Sequence, residues 1–201
     1  MREIDKVIDE REKVFWEGAP KFWPFVLGGS IFVVVFGLIW MLFLVPFIFA
    51  FGTFVFFLPH FWIGLVLVFG IPIYLYLAHS RTYYAITNKR VLLQGGVIGR
   101  DFKMVDFDQI TNAEVNVGLF DKLFGGNSGS ILISTAGTFT QGKHGPVHKP
   151  YTMGNIENPY EVFKFFKKVS HAVKTDVHFP NQYRPRKNPG YTTDVDPHKL
   201  K

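Results

Sequence analysis

The chain predicts a two-part protein: a helical hairpin of two transmembrane helices, then a small, mostly-β domain of the α+β class closed by one C-terminal helix. Three observations carry this. No Asp, Glu, Lys or Arg occurs among the 59 residues from Phe22 through Ser80. Beyond Arg81 the apolar run gives way to short β-branched and aromatic stretches cut by turn residues. Near the end, the stretch from Pro159 to about Val173 repeats apolar residues at helical spacing.

A hydrocarbon core of about 30 Å is crossed by roughly 20 helical residues, so the charge-free run holds two spans and a short turn. The first is read over about residues 25–46 and the second over about residues 61–77, with breaks at Gly52-Thr53 and Leu58-Pro59-His60. Both runs are apolar on every face, as contact with lipid requires. Trp23, Trp62, Tyr74 and Tyr76 stand where interfacial anchors belong. Residues 1–21 carry six acidic and five basic groups, too acidic and too long for the basic region of a cleavable signal. They are expected to form an N-terminal segment ahead of a retained first span. Lys13 and Lys21 precede the spans, Arg81, Lys89 and Arg90 follow them, and the turn holds no Lys or Arg. The positive-inside rule then places both termini and the β domain on the cytoplasmic side of the cell membrane.

The β domain is read over residues 81–174. Thr82 to Thr87 and Val91 to Gln94 form a hairpin through Asn88-Lys89, and Val97-Ile98, Phe102 to Phe107, Ile110 to Val117, Ser130 to Ser134 and Tyr151 to Met153 are further strands. Gly125 to Gly129 reads as a β-hairpin connection, because the Lys-Ser/Thr pair of a phosphate loop is missing. In the closing helix, Asn158 is placed as N-cap, Pro159 at the first helical position and Glu161 to reach back to the cap. Val162, Phe166, Val169 and Val173 share a stripe with Phe165 and Phe163 at its margins, while Lys164, Lys167, Lys168, His171 and Lys174 occupy the opposite side. Residues 175–201 have no apolar period and read as a disordered tail.

The order of these features resembles the membrane-anchored bacterial and archaeal pleckstrin-homology-like (PH) family. The residues that carry the resemblance are Phe15 to Pro20 before the first span, Tyr84 to Val91 after the second, Gly95-Gly96-Val97-Ile98, Asp108 to Val115, Phe120 to Gly125, and Ile156 to Pro159. The resemblance implies two antiparallel sheets forming a partly open β-barrel with the C-terminal helix plugging one end. The connection from Gly137 to Pro150 and the 175–201 tail depart from it.

On function, the residues exclude more than they select. The chain has no cysteine, and the His-Glu-x-x-His and Gly-x-Ser-x-Gly motifs are absent, so no catalytic constellation and no cofactor site emerge. His144 and His148 are a weak metal pair, since Gly145-Pro146 between them excludes a helical face. Residues 80–174 carry twelve basic and seven acidic groups, a moderate net charge of +5, and without a groove-reading motif this disfavours nucleic acid. The expectation is a non-enzymatic adaptor, integral to the lipid bilayer, that presents the PH-like domain to a protein, a peptide or a lipid headgroup. Candidate partner contacts are Lys89, Arg90, Lys164, Lys167 and Lys168; candidate headgroup contacts are Lys21 and Arg81. Lys89 and Arg90 are assigned to a soluble partner because an upright strand from Arg81, at about 3.3 Å per residue, carries them roughly 25 Å from the membrane. The alternative is a small oligomeric transporter or channel subunit, or an accessory subunit of a membrane complex, assembling through Gly28, Gly29, Gly37, Gly64 and Gly70.

Overall fold

The structure, a computed structural model, describes residues 3–10, 12–97, 99, 101–142 and 145–178. Strand β1 (Val14–Gly18) precedes helix α1 (Phe22–Phe43). Pro46 cannot donate a backbone hydrogen bond to the preceding turn. The helix accordingly breaks at Leu44 and resumes as α2 (Val45–Phe51), followed by a 3-10 segment over Gly52–Phe57. The chain returns through α3 (Pro59–Leu65), a π-helical turn over Val66–Gly70, and α4 (Ile71–His79). Pro72 explains that turn, because its missing N–H and bulky ring force the ladder wider just ahead of it. The expected short turn between spans is thus mostly helical. Two stretches, Phe22–Phe57 and Pro59–His79, are long and apolar enough to cross a membrane.

Strands β2 (Tyr83–Thr87), β3 (Arg90–Gly95) and β4 (Asp101–Asp106) continue from the second stretch and form an antiparallel sheet in the order β1-β2-β3-β4. The Asn88-Lys89 hairpin is present as read. The N-terminal stretch does not stand apart, however, because Trp16 pairs with Ile86 and Gly18 with Tyr84. The apolar hairpin is therefore inserted between two strands that are neighbours in one sheet. Ile4 is buried against Ala85 and Leu92, and Ile8 packs beside it, so the N-terminal residues cover the outer face of β2 and β3. This explains why both strands are apolar on both faces.

The second sheet pairs β5 (Ile110–Asn116), β6 (Ser128–Thr135) and β9 (Tyr151–Glu157) in that order. A short helix, α5 (Leu119–Phe124), joins β5 to β6. Gly125 to Gly129 thus leads from a helix into a strand, which corrects the β-hairpin reading. The Gly137 to Pro150 connection contains a two-stranded ladder, β7 (Phe139–Gly142) with β8 (Gly145–His148). Val97, expected in a strand, lies in a bend, and Ile98 is outside the described residues. Among the described residues no strand pairing joins the two larger sheets, so the barrel is not closed.

Helix α6 (Pro159–His178) lies over β5, β6 and Phe107. It buries Val162, Phe165, Phe166 and Val169 in a core shared with Ile86, Val91, Ile131, Ile133 and Met153, and Ala172 is buried as well. Phe166 is 1% exposed, its ring centroid 5.9 Å from that of Phe107. Val173, read as central to the stripe, is at its half-buried edge. Residues 175–178 continue the helix, and residues 179–201 of the expected tail lie outside the described residues. The capping reading needs correction too. Asn158 has φ +49°, and its side-chain oxygen accepts from Asn127 Nδ2, while the Glu161 amide donates to the Asn158 backbone carbonyl at 3.0 Å. A left-handed backbone turns the Asn158 side chain away from the helix start.

Candidate ligand cleft and the basic residues around it

Where the two sheets fail to close, a cleft of about 600 Å³ opens. Tyr84, Leu93 and Gln94 form its sheet wall, Tyr151 and Thr138 face them, and Lys103 and Lys149 are exposed on its rim. Its floor is rigid. Tyr84 is buried and its hydroxyl oxygen accepts from the Gly154 amide at 3.0 Å, bridging the two sheets. Burial pushes the Tyr84 phenol up to about 12, only partly offset by that hydrogen bond, so it stays neutral at physiological pH. Gln94 accepts from the Glu3 amide at 3.0 Å and donates to the Arg81 carbonyl at 3.3 Å. Among the described residues that line the cleft there is no serine or histidine. Lys103 and Lys149 place two ammonium groups on the lining, and the Asp101 carboxylate lines it as well.

The residues singled out from sequence fall in three places. Arg90 is taken up within the chain: its Nε and Nη2 donate to the two oxygens of Glu12 at 3.1 and 2.8 Å, and Nη2 also reaches the Val7 carbonyl at 3.3 Å. The Glu12 side chain is fully buried. Thr87 Oγ1 donates to it at 2.7 Å while accepting the Lys89 and Arg90 amides. Burial is the largest influence on the Glu12 carboxyl and by itself raises it. Hydrogen bonds from Arg90, Thr87 and the Asp9 amide, with the Arg90 charge, outweigh burial and hold it below the ordinary glutamate value. The hydrogen bonds to Glu12, with the charges of Glu12, Asp9 and Asp106, raise Arg90 against burial. Lys89 is half-exposed and pairs with Asp9 at 3.1 Å. Both residues therefore clamp the N-terminal stretch onto the β2–β3 turn.

Lys21 and Arg81 mark the junction with the apolar hairpin. Lys21 Nζ pairs with Glu157 at 3.0 Å and donates to the Gly125 carbonyl at 3.2 Å, while its amide donates to the Asn155 carbonyl at 2.7 Å. Arg81 is exposed and its guanidinium donates to the Val97 carbonyl. His79 lies 2.8 Å from the Pro20 carbonyl and edge-on to Phe22, tying together the two ends of the hairpin. Lys164, Lys167 and Lys168 are exposed on α6, with Lys167 over the Phe163 ring at 5.7 Å. The α6 lysines, Lys89 and Arg90, and the cleft lysines are thus carried on different elements.

Two features escaped the sequence reading. The cleft joins residues from strands far apart in the chain, and no local pattern announces it. Asp121 is the other: it is buried, with Oδ1 accepting from Ser128 Oγ at 2.8 Å and Asn155 Nδ2 at 2.9 Å, and Oδ2 from the Gly118 amide at 3.1 Å. His144 lies outside the described residues, and among the described residues no three His, Asp or Glu side chains converge as a metal site.

Two unclosed antiparallel sheets over one core, with a C-terminal helix laid across them and a cleft at the open seam, define a PH-like domain, a class made up in general of binding modules rather than catalysts. The chain belongs to the bacterial PH domain family, whose model matches residues 25–164. No curated protein matches it. Among solved structures it is similar to a DUF1696 family protein with a pleckstrin-homology domain from Shewanella loihica PV-4, at 10% identity and a TM-score of 0.37, covering 84% of this chain and 90% of that one.

Proposed function

We propose that this chain is a non-enzymatic adaptor whose apolar hairpin crosses the cytoplasmic membrane twice and whose PH-like domain binds a partner at the cytoplasmic face. One observation carries the anchoring. The hairpin leaves its large side chains outside any core, with Phe32 at 74%, Phe49 at 87% and Phe57 at 79% exposure. A water-soluble protein does not leave an apolar surface of that extent uncovered; lipid covers it. The pairing of β1 with β2 supports an even number of crossings, since the chain enters and leaves the hairpin side by side. Lys21 and Arg81 then lie at headgroup level. The cleft with Lys103 and Lys149 at its mouth, and the exposed Lys164, Lys167 and Lys168 on α6, are the surfaces for an anionic protein, peptide or headgroup.

Reporter fusions test the topology: a fusion at residue 201 is active in the cytoplasm, and one within residues 50–60 is active only outside it. Cytoplasmic activity from the 50–60 fusion overturns the reading. For the cleft, Lys103→Glu/Lys149→Glu loses the proteins or lipids that co-purify with the wild-type chain from detergent extract. Identical captured material from both forms removes the cleft from the function. Of the glycines on which the channel-subunit alternative rests, Gly28, Gly29 and Gly37 face neighbours within the chain. A Cβ on Gly29 meets Leu75 Cδ1 at 2.8 Å, one on Gly37 meets Leu67 and Val68 at 2.9 Å, and one on Gly28 meets Phe120 at 3.4 Å. These glycines are used within the chain, where small residues let backbones approach.

A further inference from the structure

We infer that α5 is a third membrane-contacting element, a short helix of the PH-like domain whose Leu119, Leu123 and Phe124 are seated among lipid acyl chains beside the first span. The inference rests on the proposed membrane anchoring and adds to it. Leu119, Leu123 and Phe124 are 64%, 63% and 45% exposed, a concentration of apolar surface on a six-residue helix. What decides their occupant is continuity with the hairpin. Phe120 on the same helix packs against Gly28, and its ring lies 5.8 Å from that of Phe32. Gly28 and Phe32 follow the start of α1 by six and ten residues, about 9 and 15 Å along a helix rising 1.5 Å per residue. A side chain at that level is at hydrocarbon depth when the apolar core is about 30 Å thick.

Polar groups at both ends of α5 have partners within the protein. Gly125, just past its end, lies against Pro24 at the top of α1, and the Gly125 carbonyl accepts from Lys21. The helix thus runs inward from the headgroup level, where a lysine caps its carbonyl end, toward Phe120. At its other end Asp121 turns back into the domain and takes up the Gly118 amide. Polar groups facing lipid without partners are costly, and here both the carboxylate and the terminal amide are bonded within the protein. Lys122 is exposed and long enough to reach the headgroups from a shallow position. A cleft of about 360 Å³ between α1, α4 and α5 is lined mostly by apolar groups, among them Phe25, Leu75 and Leu119, with Asp121 and Asn155 also on its wall, and gives acyl chains a seat.

The absence of cysteine makes single-site labelling direct. The full chain carrying Leu123→Cys is labelled with an environment-sensitive fluorophore and reconstituted in phosphatidylcholine–phosphatidylglycerol vesicles. Phe36→Cys serves as the span control and Lys164→Cys as the solvent control. The expected result is strong quenching of the Leu123 label by acyl-chain nitroxide lipids, as at Phe36, with iodide quenching several-fold weaker than at Lys164. Iodide quenching equal to that at Lys164, with Phe36 still lipid-quenched, overturns the inference and leaves the anchoring intact. Protection from both quenchers means that protein covers the face, and also overturns it. Loss of lipid quenching at Phe36 removes the anchoring and the inference together.

Discussion

Removing the Arg90 guanidinium is the most informative perturbation, because it separates a structural clamp from a partner site. In Arg90→Met the Glu12 carboxylate, whose side chain is fully buried, loses both of its guanidinium hydrogen bonds. Breaking a buried pair by removing one partner costs about 3–5 kcal/mol. At about 2–4 °C per kcal/mol for a chain of this size, the melting midpoint falls by about 6–20 °C. The loss is local in origin, since the pair holds down the N-terminal stretch whose Ile4 covers Ala85 and Leu92. Amides of β1 therefore exchange faster in the variant, while those of β6 respond less. Glu12→Gln should be destabilising as well, and a double-mutant cycle reports the coupling directly.

The pH dependence has a definite sign. The folded Glu12 carboxyl lies below its ordinary value of 4.5, so folding favours its ionised form and the contribution is fully present above that value. It is lost as pH falls below 4.5 toward the folded value. Melting followed from neutral to acid pH shows a steeper acid-side loss in wild type than in Glu12→Gln. Were Arg90→Met to melt within about 1 kcal/mol of wild type, the pair would be no stronger than an exposed one. The clamp would then be wrong, and Arg90 would be open to a partner after all.

Phe166→Ala leaves a cavity beneath α6 and costs about 3–5 kcal/mol, whereas Lys167→Ala on the solvent side stays within about 0.5 kcal/mol; equal melting of the two refutes the assigned helix face. Asn158→Ala loses the Asn127 contact and places a Cβ-bearing residue without a local hydrogen bond in the left-handed region, costing about 1–2 kcal/mol. Asn158→Gly costs less, because glycine adopts a positive φ freely; equal costs for the two variants refute the left-handed argument. Tyr84 titrates near 12, above its ordinary 10.0, so its contribution is present below about pH 10 and is lost as pH rises toward 12. The ultraviolet difference between wild type and Tyr84→Phe shows the phenolate band in that window; a band near pH 10 refutes the burial argument.

The parts legible in the sequence are those whose cause is local. A charge-free run is visible in any window, and so is the stripe of Val162, Phe166 and Val169, because one helix face must be apolar along consecutive turns. The β2–β3 hairpin is legible for the same reason, its turn being two residues long. What was missed depends on partners distant in the chain. Strand β1 is five residues beside a run of charges, and only pairing across the whole hairpin makes it a strand. Glu12 and Arg90 sit 78 positions apart, so each alone reads as a solvated charge. Helix α5 is too short for periodicity to register; its one local signal is Asp121, three residues after Gly118 and positioned to take that residue's amide. The cleft has no local signal, since it exists only where two sheets fail to close.

The insertion of the hairpin between β1 and β2 has a mechanical consequence. A domain hung from a membrane by one flexible linker reorients freely, and its ligand site samples every direction. Here the connections are short: two residues separate Glu17-Gly18 at the end of β1 from Lys21, and Ser80 to Thr82 join α4 to β2. The two ends are bridged by His79 to the Pro20 carbonyl, and Lys21 pairs onward to Glu157 in the second sheet. Both sheets are thereby tied to the hairpin, one through its strands and the other through Lys21 and α5. On the proposed anchoring, the cleft is presented at a fixed height and angle, and a partner loses less freedom on reaching it than it would in ordering a tethered domain. Inserting a flexible linker of several Gly-Ser repeats between Ser80 and Thr82 should therefore weaken partner capture while leaving the domain core folded.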